Sequence, residues 1–93
     1  MGKYTIVVET DAQKQLQQHF KSGDRAIIKK IDRIFEELEE HPKTGIGQPE
    51  ELKYTLSGCW SRQISKKDRL VYRIEDDVVT VTIVAAKGHY GDK

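Results

Sequence analysis

The sequence predicts an α+β fold in which two helices pack on one face of a mainly antiparallel sheet, in the order β-α-α-β-β-β-β. Two observations carry that expectation. The first half holds an unmistakable amphipathic helix, and beyond Pro49 the hydrophobic pattern changes to a period of two. The length of 93 residues adds a third: it suffices for one domain, expected over 1–93, and excludes an eight-fold strand–helix barrel or a full dinucleotide fold.

Taken in order, Tyr4-Thr5-Ile6-Val7-Val8-Glu9 is β-branched and aromatic and reads as a short strand. Thr10 and Asp11 can cap a helix, after which Ala12, Leu16 and Phe20 recur at four-residue spacing. Ser22-Gly23-Asp24 ends that helix and offers Asp24 as cap for the next. There Ile27, Ile28, Ile31, Ile34, Phe35 and Leu38 fall on one face at the 3.6-residue period. Pro42 disfavours helical geometry at the residue before it, so the second helix ends by His41. A Gly/Pro loop over 42–50 leads into strands near Glu51–Leu56, Cys59–Ser65, Arg69–Glu75 and Val78–Lys87. Ser57-Gly58, Lys66-Lys67-Asp68 and Asp76-Asp77 form the turns between them.

A sheet covered on one side leaves its other side free for a ligand. In the strand from Arg69, alternation sends Leu70, Tyr72 and Ile74 toward the helices, and Arg69, Val71 and Arg73 to the open face. The two arginines are then about 13 Å apart along the strand. On the neighbouring strand Trp60 and Ile64 suit the core, and Cys59, Ser61 and Gln63 the open face. Arg62 falls on the Trp60 side, which requires it to snorkel to the sheet edge.

Composition excludes several functions. No apolar run approaches the roughly 20 residues that span a bilayer, so no membrane partner is expected. No basic-then-apolar signal segment occupies Met1–Thr10, and the expected location is the cytoplasm. Cys59, the single cysteine, has no internal disulfide partner, and His19, His41 and His89 stand too far apart for a zinc pattern. No metal or other cofactor is expected. A net charge of +1 argues neither for nor against nucleic acid, so an anionic partner must be held by local clusters. One such cluster is Lys29 and Lys30 in the basic first half of the second helix, whose second half holds Glu36, Glu37, Glu39 and Glu40. This order opposes the helix dipole, which favours acids first and bases last.

Three ionisable groups suit one another chemically: Glu50 at the loop-to-strand junction, Arg69 at the start of a central strand, and His89 after the last strand. A carboxylate that removes the ribose 2′-OH proton, an imidazolium that protonates the departing 5′ oxygen and a guanidinium that stabilises phosphate charge would cleave RNA without a metal. The 2′-OH requirement selects RNA over DNA. Each residue also has a structural reading. Glu50 could be a solvated loop carboxylate, His89 an exposed terminal residue, and Arg69 half of a hairpin salt bridge with Asp68.

The runs Gly45-Ile46-Gly47-Gln48-Pro49-Glu50-Glu51-Leu52-Lys53, Leu56-Ser57-Gly58-Cys59-Trp60-Ser61-Arg62, Asp68-Arg69-Leu70-Val71-Tyr72 and His89-Tyr90 together resemble the YoeB/Txe toxins of the RelE superfamily. The likeness extends over essentially the whole chain. It implies a RelE-like microbial RNase-type fold and a ribosome-dependent mRNA endoribonuclease of a type II toxin–antitoxin pair. By the resemblance, Glu50 is the general base, Arg69 the phosphate-stabilising arginine, His89 the general acid and Tyr90 a tyrosine that shapes the site. Lys53 and Arg62 match basic positions expected to contact RNA; Arg73, from the open face of its strand, and Lys29 and Lys30, from the basic half of the second helix, are the further RNA-binding candidates. The implied partners are a YefM-like antitoxin, the ribosomal A site with its mRNA, operator DNA only through the antitoxin, and a second copy in a homodimer. Two features depart from the family pattern: Gln63 stands where a second arginine is common, and Gly91-Asp92-Lys93 follow the tyrosine. The alternatives are a non-enzymatic ParE-like binding toxin and a degenerate toxin that acts only as an antitoxin-binding co-repressor.

Overall fold

In the computed structural model, which describes residues 3–53 and 58–88, β1 (Thr5–Val8) leads into α1 (Thr10–Ser22) and α2 (Arg25–Glu40). Four more strands follow: β2 (Glu50–Glu51), β3 (Cys59–Gln63), β4 (Arg69–Glu75) and β5 (Thr80–Ala85). They form one sheet in the order β1-β5-β4-β3-β2. Every pairing is antiparallel except β1 with β5, which run parallel: the two helices carry the chain from β1 to β2 at the opposite edge, and the antiparallel run β2-β3-β4-β5 brings it back beside β1.

Local chemistry explains most boundaries. Asp24 caps α2 as expected, accepting from the backbone N–H groups of Ala26 at 3.1 Å and Ile27 at 3.2 Å. Gly23 closes α1 in the left-handed conformation at φ 75°, donating to the carbonyl of Phe20. At the start of α1 the cap position falls to Glu9 instead of Thr10 or Asp11, with no side-chain capping bond. Gln13 instead donates its side-chain amide to the carbonyl of Val8.

The strand edges differ from expectation in three places. The expected strand Glu51–Leu56 contracts to Glu50–Glu51 among the described residues, since 54–57 lie outside them. The expected strand Cys59–Ser65 stops at Gln63, because Ile64 and Ser65 both donate back to the carbonyl of Asp68 and so begin the turn early. The expected tight turn at Asp76-Asp77 is a 3-10 turn over Asp76–Val78, with Val79 left-handed at φ 47°, so β5 starts at Thr80.

The core sits between the helices and one face of the sheet. Ala12 and Leu16 of α1 and Ile31, Ile34 and Leu38 of α2 pack on Leu70, Tyr72, Val81 and Ile83. Phe20, expected in the α1 stripe, is 44% exposed, and the buried position in that turn belongs to His19. The opposite face is not wholly open. Leu52, Val71 and Ala85 form a small second cluster there, with Cys59 and Val84 partly buried against it. That cluster shields the middle of the face and leaves polar groups around it. Among the described residues no helix is long and apolar enough to cross a membrane.

Candidate active site

β2, β3 and β4 lie side by side, and their pleat decides which side chains meet. Glu50 is directly across from Ser61, and Gln63 directly across from Arg69. Ser61 and Gln63 are two apart on β3, so Glu50, Ser61, Gln63 and Arg69 share the face away from the helices. Arg69 reaches diagonally across β3 and donates through Nε to Ser61 Oγ at 3.1 Å. Its Nη2 stands 3.8 Å from Glu50 Oε1. The arginine side chain is only 15% exposed and the Glu50 side chain 68%. The guanidinium is therefore held from behind while the carboxylate faces water. Asp68 is not the partner of Arg69; its carboxylate accepts from the backbone N–H of Gly88 at 2.9 Å.

The third expected member, His89, lies outside the described residues, as does Tyr90. The residue before it is held directly beside Arg69, whose backbone N–H donates to the carbonyl of Gly88 at 3.0 Å. The fold thus brings Glu50, Arg69 and the attachment point of His89 to one end of three adjacent strands. Ser61 is the residue that sequence reasoning missed as a support. Its signal is the diagonal register between β3 and β4, which alternation alone does not supply.

The remaining sequence candidates separate. Lys53 is exposed just beyond β2. Arg73 is on the Arg69 face but one strand-length away, where it approaches Glu9 at 3.8 Å and Glu75 at 3.9 Å. Lys29 and Lys30 belong to α2, the layer on the far side of the sheet from Glu50 and Arg69.

Arg62 corrects an expectation. It neither snorkels to the edge nor presents charge to RNA, because its side chain is fully buried and turned toward the helices. Nη1 donates to Glu37 Oε1 at 2.6 Å and to the carbonyl of Ile46 at 3.3 Å. Nη2 donates to the carbonyls of Thr44 at 2.7 Å and His41 at 3.0 Å, and Nε to the hydroxyl of Tyr72 at 3.1 Å. Tyr72 in turn donates to the carbonyl of Pro42 at 2.7 Å. The buried charge is therefore paired and saturated, as burial demands.

This network answers the reversed charge order of α2. No basic side chain occupies the last turn of that helix, and the guanidinium of Arg62 stands at its C-terminal end instead. Burial would raise the Glu37 carboxyl. The Ile46 N–H and the Arg62 guanidinium outweigh it and hold Glu37 below its ordinary value. Burial pushes the Tyr72 phenol up, against the opposing pull of Arg62.

The functional consequence lies in what the network fastens. Residues 41–47 are the path from α2 to Glu50, and Arg62 and Glu37 bind them at four points. Gly47 closes the path by accepting from the N–H of Gln63 at 2.7 Å. Gly45 is required by space as well as by its φ of 127°, since a Cβ there would collide with the Glu37 carboxylate. Among the described residues no group of three histidine, cysteine or acidic side chains is placed to hold a metal ion.

A fold of this kind, with its polar cluster at the exposed end of β2–β4, is that of small bacterial toxins. The toxin chain in the heterotetrameric YoeB–YefM toxin–antitoxin complex from Staphylococcus aureus superposes with a TM-score of 0.75 at 32% identity, covering 94% of this chain and 98% of that one. The YoeB dimer from the same organism gives 0.77 at 31%, covering 95% and 99%. At the level of sequence, the chain is 42% identical over 72 residues to toxin YoeB of Escherichia coli O6:H1, spanning 77% of this chain and 83% of that protein. Residues 10–90 match the family model of the YoeB-like toxin of the bacterial type II toxin–antitoxin system. The chain belongs to that family.

Proposed function

We propose that this toxin is a ribosome-dependent endoribonuclease that cleaves mRNA in the A site and so halts translation. The observation that carries the reading is the juxtaposition of Glu50 and Arg69, 3.8 Å apart on the exposed sheet face with Arg69 anchored by Ser61. In the proposed reaction Glu50 takes the proton of a ribose 2′-OH, and the new 2′-O–P bond forms as the P–5′-O bond breaks. His89 donates its proton to the departing 5′ oxygen. The products are a 2′,3′-cyclic phosphate and a 5′-hydroxyl. Arg69 stabilises the charge that gathers on the non-bridging oxygens, where a preorganised donor is worth most. No step needs a metal. Tyr90 would border the site, and Lys53 would extend the contact along the RNA backbone.

The same reading assigns partners. The YoeB–YefM complex and the YoeB dimer from Staphylococcus aureus support a YefM-like antitoxin and a homodimer for this chain too. Operator DNA would be reached through the antitoxin, and the site of action would be the cytoplasm. Glu50→Ala, Arg69→Ala and His89→Ala test the chemistry directly. Each is expected to abolish cleavage in a reconstituted translation assay, and to relieve growth arrest, while the protein still melts cooperatively. Undiminished cleavage by all three would refute the mechanism. Intact message accompanied by DNA damage would instead point to the binding-toxin alternative.

A further inference from the structure

Beyond Ala85 the chain has left the sheet, yet the backbone of residues 86–88 is fastened at almost every polar atom. The N–H groups of Ala86 and Lys87 both donate to Gln15 Oε1, at 2.6 and 3.0 Å. The carbonyl of Ala86 accepts from His19 Nε2 at 2.7 Å, and since a carbonyl can only accept, that ring nitrogen carries the hydrogen. The N–H of Gly88 donates to Asp68 Oδ1, and its carbonyl accepts from the N–H of Arg69. Gln15 and His19 are four apart on α1 and so present one face, with His19 only 5% exposed. A segment that has left the sheet normally frays unless its backbone is tied down.

We propose that Gln15, His19 and Asp68 are positioning residues that hold the exit of β5 so that His89, the next residue, acts on the phosphate bound by Arg69. The inference rests on the assignment of His89 as general acid. The physical link is short: the residue that supplies the guanidinium also grips Gly88 through its backbone. Placement of the acid relative to the phosphate therefore depends on the few bonds that hold residues 86–88. A cleft of about 580 Å³ runs beside His19, Asp68 and Lys87, so water can reach the Gly88 amide when the Asp68 carboxylate is removed.

Two single variants test this, Gln15→Leu and Asp68→Ala, each with its conservative counterpart, Gln15→Glu or Asp68→Asn, which keeps the accepting oxygen. In cleavage of ribosome-bound mRNA, kcat is expected to fall roughly tenfold to hundredfold in the first pair with KM unchanged, the scale set by ångström-sized misplacement of a reacting group. The conservative pair should restore kcat. Amide hydrogen exchange supplies a readout independent of activity. The Ala86 and Lys87 amides should exchange faster in Gln15→Leu, and the Gly88 amide in Asp68→Ala, while those of β4 stay protected. Unchanged exchange would overturn the fastening, and faster exchange with wild-type kcat would overturn its role in catalysis. His89→Ala run alongside separates the two proposals. Full activity of His89→Ala refutes the acid assignment, whereas an inactive His89→Ala beside fully active Gln15→Leu and Asp68→Ala refutes the positioning alone.

Discussion

Replacing Arg62 by methionine keeps the buried stem but deletes the guanidinium, and with it five hydrogen bonds. What remains is the Glu37 carboxylate, 11% exposed, with only the Ile46 N–H and the solvent-exposed Arg33, 3.5 Å away, as partners, beside three carbonyls that have lost their donor. Breaking one side of a buried ion pair costs about 3–5 kcal/mol, most of it from the charge left behind. A domain of this size loses about 4–8 °C of melting temperature per kcal/mol, so the midpoint should fall by roughly 12–40 °C. Equilibrium urea denaturation measures the difference in free energy directly.

The effect must also depend on pH. In the wild type the lowered Glu37 carboxyl contributes stability that is fully present above the ordinary carboxylate value and is lost as pH falls through its lower folded value. In Arg62→Met the guanidinium no longer opposes burial, so Glu37 protonates at a higher pH and the stranded charge is neutralised sooner. The gap between wild type and variant should therefore narrow on acidification through the carboxylate range. A loss under about 1 kcal/mol, the scale of an exposed pair, or a gap that ignores pH, would refute the account of Arg62 as a paired, buried charge.

Gly45→Ala should act through the same network, because its Cβ would drive the Glu37 carboxylate off Arg62. Its stability loss should be markedly smaller in an Arg62→Met background, a non-additivity that a double-mutant cycle would detect. Gln63→Arg should tighten RNA binding, since Gln63 is directly across from Arg69 on the exposed face. The salt dependence of binding to single-stranded RNA should steepen by about 0.7 in log–log slope per added phosphate contact, and an unchanged slope would show that position 63 faces no phosphate.

The two helices were legible because both signals on them are local. Ile31, Ile34 and Leu38 repeat with the helical period, and Asp24 caps within its own turn. The faces of β4 were legible for the same reason: Leu70 and Tyr72 do meet the helices, and Arg69 does turn away. What alternation could not supply was contact between distant segments. Val71 looked solvent-facing until Leu52 and Ala85 were placed over it. His19 carries no sign of its role in the sequence, because its partner, Ala86, is 67 residues away. Arg62 is the instructive case. An arginine on a core face and a helix with no base in its last turn were both anomalies of charge, and each was the answer to the other. Reading them together required knowing that residues 41–47 fold back between the helix and β3.

On the proposed function, the different burial of Glu50 and Arg69 determines how a substrate enters. Arg69 is fixed by Ser61 and sits beside the Leu52–Val71–Ala85 cluster, so its donors need little reorganisation when a phosphate arrives. Glu50 is exposed and its contact with Arg69, at 3.8 Å, is a loose one. An ion pair of that kind is worth about 0–1 kcal/mol, which is all that an incoming phosphate must displace. Displacement also frees the carboxylate to accept a proton from the 2′-OH beside that phosphate. The resting pair therefore keeps both groups in place without competing strongly with RNA. A tighter, buried pair would hold the base against the clamp. Ser61→Ala should consequently harm catalysis more than its loss of one neutral hydrogen bond harms stability, about 1 kcal/mol. Equal and small effects on cleavage and on unfolding free energy would show that Arg69 needs no such support.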